Sequence, residues 1–232
     1  MALAAVGRAR SCAAARVRLA GRAGLGAFLL VALSAAAFGQ QPLELPQSVP
    51  RQIFTFGPEF LKAATVVAGS WVLAARGEGE HLPGMLLVQR AVNNAYNVIA
   101  MPGPIYEDLD IHVRFMPISG REDASGGIVF RFDRGRYYLV RANALEDNFR
   151  LYYYDGSRHE LASARVSPPA LGRCSSLRVV AVGDHFQVYL EEKLRLDSND
   201  TRIRAGRVGL WTKADSVTAF DELTVRGKTA PR

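Results

Sequence analysis

Strict alternation of apolar and polar residues constrains this chain more than any other feature. Across "DLDIHVRF", Leu109, Ile111, Val113 and Phe115 fall on one parity, and Asp108, Asp110, His112 and Arg114 on the other. Successive side chains of a strand point to opposite faces, so this spacing makes one apolar face and one polar face. A helix would wind the same residues around its whole circumference. Comparable runs are "SWVLAAR", "GMLLVQRA", "GGIVFRF", "RYYLVRANA", "FRLYYYDG", "SRHELASA" and "SLRVVAVGDHFQVYLEEKLRLD". Turn residues punctuate them roughly every ten positions: Asp133–Gly135, Asp155-Gly156 and Gly183-Asp184 are hairpin signals, and Glu191-Glu192 sits near a further one. "EFLKAATVV" near Glu59 reads as one helical turn or a strand. About a dozen antiparallel strands then predict an all-β sandwich of two sheets.

The first 40 residues stand outside that pattern. Arg8, Arg10, Arg16, Arg18 and Arg22 precede a 16-residue apolar run, "GLGAFLLVALSAAAFG", and no acid occurs among them. A basic start, an apolar stretch and small residues before a cleavage point form a secretory signal, which implies a periplasmic or secreted protein. The competing reading, an uncleaved anchor, needs a span of ~20 residues. The full chain holds 29 Lys and Arg against 22 Asp and Glu, a charge of +7; without the five signal arginines it is 24 against 22, or +2. The basic balance belongs mostly to the address and gives no nucleic-acid footprint. "QPLELPQSVPRQ" has three prolines and reads as an extended linker. The expected organisation is a signal over 1–40, a Pro-rich linker over 41–52, one domain over 53–228 and a tail over 229–232. Of the two cysteines, Cys12 leaves with the signal, so Cys174 is expected to stand alone as a buried, inert thiol in a fold without disulfides.

Four stretches occur in a telling order: "GGIVFRF", "YYLVRANALEDNFRLYYYDG", "GDHFQVYLEEKLRLDSND" and "GRVGLWTKADSVTAFDELTV". Together they resemble the concanavalin A-like lectin/glucanase superfamily, and more closely its 3-keto-disaccharide hydrolase-like, or family 16 glycoside hydrolase-like, domains of secreted bacterial proteins. The resemblance runs roughly from Ile53 to Arg226. It implies a jelly roll of two curved antiparallel sheets, with a concave face that meets a glycan or small saccharide. It implies no cofactor, although a structural divalent cation such as calcium is compatible with it. Nucleic acid is not an implied partner, nor is a membrane after signal cleavage, and oligomeric state is left open. Two positions depart from the family. Cys174, after Gly172, stands where a Trp is usual. Glu191-Glu192 replaces the Asn-Gly or Asp-Gly turn, so a longer or looser hairpin end is expected there.

The catalytic carboxylates of laminarinase-type relatives are incomplete here. "YEDLDIHV" supplies Glu107, Asp108 and Asp110, but His112 and Val113 occupy the place of the second Glu. Retaining glycosidases need two carboxyls about 5–5.5 Å apart. A non-catalytic carbohydrate-binding module is therefore the first expectation, and a hydrolase or lyase acting on 3-keto-disaccharides the alternative. Asp108, Asp110 and His112 share a face and are chemically able to hold a metal ion, but a solvated strand face is the simpler expectation. The two best ligand clusters are "VRANALEDN" and "WTKADS". They offer Arg141, Asn143 and Asn148, then Trp211, Lys213 and Asp215; Arg131 and Tyr152 on neighbouring strand faces complete the set. Trp211 is expected to give a sugar ring an apolar platform. The competing expectation is a local ion network, Arg141 with Glu146 and Lys213 with Asp215, that only fixes loops.

Overall fold

The computed structural model describes residues 41–76, 85–90 and 94–230. The expected signal segment over 1–40 lies outside the described residues. In chain order the elements are β1 (Arg51–Phe54), α1 (Pro58–Ala63), β2 (Thr65–Ala68), β3 (Trp71–Ala74), β4 (Leu86–Arg90), β5 (Asn94–Ala100), β6 (Tyr106–Ser119), β7 (Ser125–Asp133), β8 (Arg136–Asn143), β9 (Asn148–Tyr154), β10 (Arg158–Arg165), β11 (Ser175–Val182), β12 (His185–Leu190), β13 (Lys193–Asn199), β14 (Arg207–Ala214) and β15 (Val217–Thr229). "EFLKAATVV" is both things in turn: a short helix opened by Pro58, whose fixed φ suits a first helical position, and then a strand.

Two antiparallel sheets result. One runs β13-β12-β11-β6-β15-β4-β3, with β1 also paired to β15. The other runs β10-β9-β8-β7-β14-β5-β2. The parity seen in β6 is the parity of the fold: Leu109, Ile111, Val113 and Phe115 are all fully buried between the sheets. Each such side chain contributes roughly 1.5–3 kcal/mol by leaving water. Phe115 packs against β7 where Gly126 has no side chain; a Cβ there would lie 2.3 Å from the ring. Phe60 of α1 closes one end of the core, edge-on to Phe54 and Phe56 at 6.3 and 5.0 Å.

Three details differ from expectation. The hairpin between β12 and β13 is tight, not loose. Glu191 and Glu192 form its two-residue turn, with φ of 51° and 58°, the left-handed pair that a type I′ turn demands. The side chains hold it in place: Ser176 donates its N–H to Glu191 Oε1 at 3.0 Å and its hydroxyl to Glu192 Oε1 at 3.4 Å. The segment ahead of β1 is irregular yet fastened to the domain. Leu43 N–H donates to Gln187 Oε1 at 2.7 Å, Gln187 Nε2 donates back to the Gln41 carbonyl at 3.1 Å, and Leu45 is buried. Finally, Cys174 is exposed and disulfide-bonded rather than a buried lone thiol; its partner lies outside the described residues.

Candidate functional site

The face of the seven-stranded sheet turned away from the main core carries a second apolar cluster: Val98, Ala100, Val129, Phe132, Tyr137, Leu139, Tyr152 and Trp211, with Tyr96 and Tyr154 against it. Strand alternation places these residues there. One register row crosses the sheet as Arg150, Arg141, Gly127, Trp211 and Val98. Gly127 leaves bare backbone between Arg141 and Trp211.

This face is concave. Tyr96 of β5 and Tyr154 of β9 meet edge to face at 5.5 Å, although their strands stand four places apart. Neighbouring strands are about 4.8 Å apart, so a flat sheet would separate these two by about 19 Å. Arg158 of β10 reaches further, its guanidinium lying 5.3 Å from the Tyr96 ring and 5.0 Å from the Tyr152 ring. Tyr154 also stacks on Tyr137 at 4.6 Å, and Tyr96 on Trp211 at 5.8 Å. Burial, together with the neighbouring Tyr154 and Tyr96, pushes the Tyr137 hydroxyl well above the usual phenol range.

Trp211 is thus the floor under this roof, fully buried, and not an exposed platform. Its indole N–H lies close enough to the Tyr137 hydroxyl to favour the phenolate, but the geometry falls short of a hydrogen bond and the group has no other partner among the described residues.

Beyond the aromatics, the strand ends of β8 and β9 converge on Glu146. Arg141 Nη2 donates to Glu146 Oε2 at 2.7 Å and Asn148 Nδ2 to the same oxygen at 2.9 Å, while Asn143 Nδ2 reaches Oε1 at 3.1 Å. Burial raises the Glu146 pKa, but the Arg141 and Asn148 hydrogen bonds outweigh it and hold the carboxyl below its usual range. Behind it, Asn143 donates to Asp123 Oδ2 at 3.1 Å and Ser216 Oγ donates to Asp123 Oδ1 at 3.0 Å. Burial raises Asp123 above the usual carboxylate range, although the nearby Ser125 and Ser216 hydroxyls and the Arg141 and Lys213 charges oppose the shift.

The expected site residues divide accordingly. Arg141, Asn148 and Tyr152 lie on the concave face, with Lys213 at its edge, 3.8 Å from Asp123 and not paired with Asp215. Asn143 is wholly buried, its Oδ1 accepting from the N–H groups of Ala124 and Leu145. Asp215 ties the β6–β7 loop by accepting the N–H groups of Arg121, Glu122 and Asp123 at 2.7, 3.0 and 3.0 Å. Both are loop pins. Arg131 leaves the set altogether: it is 1% exposed and donates to the carbonyls of Glu107, Ile203 and Gly183. Glu146, Arg150, Tyr96 and Arg158 are the additions. Arg150 shares strand parity with Tyr152 and Tyr154, a legible signal. Nothing local brings Tyr96 to Arg158.

One feature of this face is chemically incomplete. Arg141 is 3% exposed, yet among the described residues its Nε and Nη1 have no hydrogen-bond partner, and neither does the buried Asn148 Oδ1 beside Glu146. Two donors and one acceptor without partners, held rigid beside a carboxylate, match the hydroxyl pattern of a polyol.

No family model matches the chain. Among solved structures, it is similar to the carbohydrate-binding module CBM66 from Bacillus subtilis: TM-score 0.61, 23% identity, covering 71% of this chain and 96% of that one. A Bacillus subtilis protein of unknown function with a galectin-like fold gives 0.54 at 12% identity, covering 73% and 91%. The exoplasmic/lumenal domain of VIP36, in its Ca2+/Man3GlcNAc-bound form, gives 0.54 at 12%, covering 75% and 88%. These likenesses show the fold, a jelly-roll sandwich of the galectin-like kind. In sequence, 109 residues, or 45% of the chain, are 25% identical to levanase of Bacillus subtilis (strain 168) and span 16% of its length.

Proposed function

We propose that this protein is a non-catalytic carbohydrate-binding module whose saccharide sits on the concave face of the seven-stranded sheet, over Arg141 and Asn148. The observation that carries the reading is the partnerless guanidinium edge of the nine-tenths-buried Arg141 beside the partnerless Asn148 Oδ1. A buried donor or acceptor without a partner costs about 1–3 kcal/mol, and ligand hydroxyls would recover it. Arg150, the Tyr152 hydroxyl and Lys213 border the same place. The fold's likeness to CBM66 and the levanase match support the carbohydrate class, and the levanase name makes levan the first polysaccharide to try.

The non-catalytic reading rests on charge. A general acid on a glycosidase has a raised pKa and reaches the substrate. Glu146 is held below its ordinary range by Arg141 and Asn148, and Asp123, which is raised, lies buried under Asn143 and Ser216. We also infer export through the segment over 1–40, on its basic start and short apolar run.

The test is a glycan array followed by titration calorimetry with levan and the best array hit. Arg141→Lys and Asn148→Ala should each weaken binding at least about tenfold, while the melting temperature of Asn148→Ala stays near that of the wild type. Equal affinity in both variants would place any ligand elsewhere.

A further inference from the structure

The outer face of the eight-stranded sheet holds a cleft of about 350 Å³, lined by Arg51, Asp110, His112, Arg178, Glu192, Glu222, Thr224 and Arg226. That volume suits a single sugar unit. The cleft lies on the other sheet from Arg141, so a ligand here is independent of the saccharide proposed for the concave face.

One half of the cleft lacks an anion. Arg51 of β1 and Arg226 of β15 are direct cross-strand partners, and like charges placed so are destabilising. Arg51 is exposed and makes no hydrogen bond or ion pair within the described residues. Arg226 donates to two neutral carbonyls, Pro46 at 2.7 Å and Leu45 at 3.3 Å. The nearest carboxylate in register, Asp110, is opposite Arg226 on β6. It is already held by Arg178, through Nε at 2.8 Å and Nη2 at 3.0 Å.

The other half presents acceptors. Glu192 reaches His112 Nε2 at 3.3 Å, and Glu222 binds Arg114. Each pairs through one carboxylate oxygen, and both glutamates line the cleft together with Thr224. Both glutamates are held in left-handed backbone, at φ 58° and 47°. A residue with a long side chain costs about 1–2 kcal/mol in that conformation, and such positions persist where the surroundings or a function require them.

We propose that this cleft binds a monosaccharide-sized polyol bearing one anionic group, the anion between Arg51 and Arg226 and the hydroxyls toward Thr224, Glu222 and Glu192. Sugar acids and sugar phosphates share that chemistry. The experiment titrates the full chain with glucuronate and glucose 6-phosphate, and with glucose and inorganic phosphate as the separate halves. A charged sugar should bind saturably and at least about tenfold more tightly than either half alone. Arg51→Gln should lower that affinity about tenfold, the worth of one charge-assisted contact, with an unchanged melting temperature because the Arg51 side chain makes no hydrogen bond or ion pair among the described residues. Glu222→Gln should shrink the preference for the charged sugar over inorganic phosphate. Arg141→Ala, on the opposite sheet, should leave this binding intact. Wild-type affinity in Arg51→Gln, or binding of the charged sugars no tighter than of phosphate, overturns the proposal.

Discussion

Tyr96 and Tyr154 touch edge to face at 5.5 Å across a sheet in which their strands are four places apart. That contact closes the concave face over Trp211, and the Arg158 guanidinium lies on both Tyr96 and Tyr152. Tyr96→Ala should therefore uncover the indole. Acrylamide quenching of the tryptophan emission should rise relative to the wild type. The other tryptophan, Trp71, is 6% exposed and bonded through Nε1 to the Ala68 carbonyl, so it should contribute little to the change. Quenching identical to wild type would mean that Tyr96 does not cover Trp211 in solution.

Arg131 is a structural residue. Replacing it with Met keeps much of the volume but strips donors from three buried or half-buried carbonyls. The expected loss is at least about 3 kcal/mol in urea unfolding, with saccharide affinity unchanged in whatever fraction stays folded. A near-neutral variant would show that water replaces the guanidinium freely.

At the β12–β13 turn, Glu191→Asn combined with Glu192→Gly places the residues that left-handed backbone favours. Relief of strain outweighs the lost contacts to Ser176 and His112, which lie at the surface. A gain of about 1 kcal/mol in denaturant titration is expected. Destabilisation would show that the carboxylates matter more than the backbone.

Acid should weaken the fold partly through Glu146. Its folded-state pKa lies below the ordinary value of 4.5, so the folded state favours the ionised form. The stability this contributes is fully present above that ordinary value and is lost as pH falls through the lower, folded pKa. Melting temperature followed from about pH 7 to about pH 3 should fall less steeply for Glu146→Gln than for the wild type over the acidic end. Parallel curves would remove Glu146 from the account. Asp215, also held low because its three backbone donors outweigh the effect of burial, remains in both proteins and does not confound the comparison.

Export predicts that the protein isolated from its native host begins near Gln40 or Gln41. Intact Met1 in a membrane fraction would contradict it. In the processed form, which lacks Cys12, the chain's other cysteine, Cys174→Ser removes no disulfide and should change stability by no more than about 0.5 kcal/mol, because the residue is exposed. A large loss in thermal melts would show that Cys174 has a structural role of its own.

Face parity was legible from sequence because it is local. A strand's period of two is fixed by its own backbone, so the inward set of Leu109, Ile111, Val113 and Phe115 needed no knowledge of neighbours. Turn residues likewise marked most hairpin ends, and Gly183 and Gly156 adopt the positive φ their positions suggest. The resemblance added the two-sheet architecture. The site was only half legible. Arg141 and Asn148 were visible as polar strand-end residues, but their lack of partners is a property of burial, which sequence does not contain. Trp211 looked like a platform and is a floor, because Tyr96, 115 positions earlier, stacks on it. Arg131 looked like Arg141 and is its opposite, satisfied by carbonyls from three distant segments. Which side of each strand is apolar follows from the order of residues along the chain. Which strands become neighbours, how far the sheet curls, and so which polar atoms go without a partner among the described residues all depend on pairing between segments remote along the chain, and no local pattern encodes that.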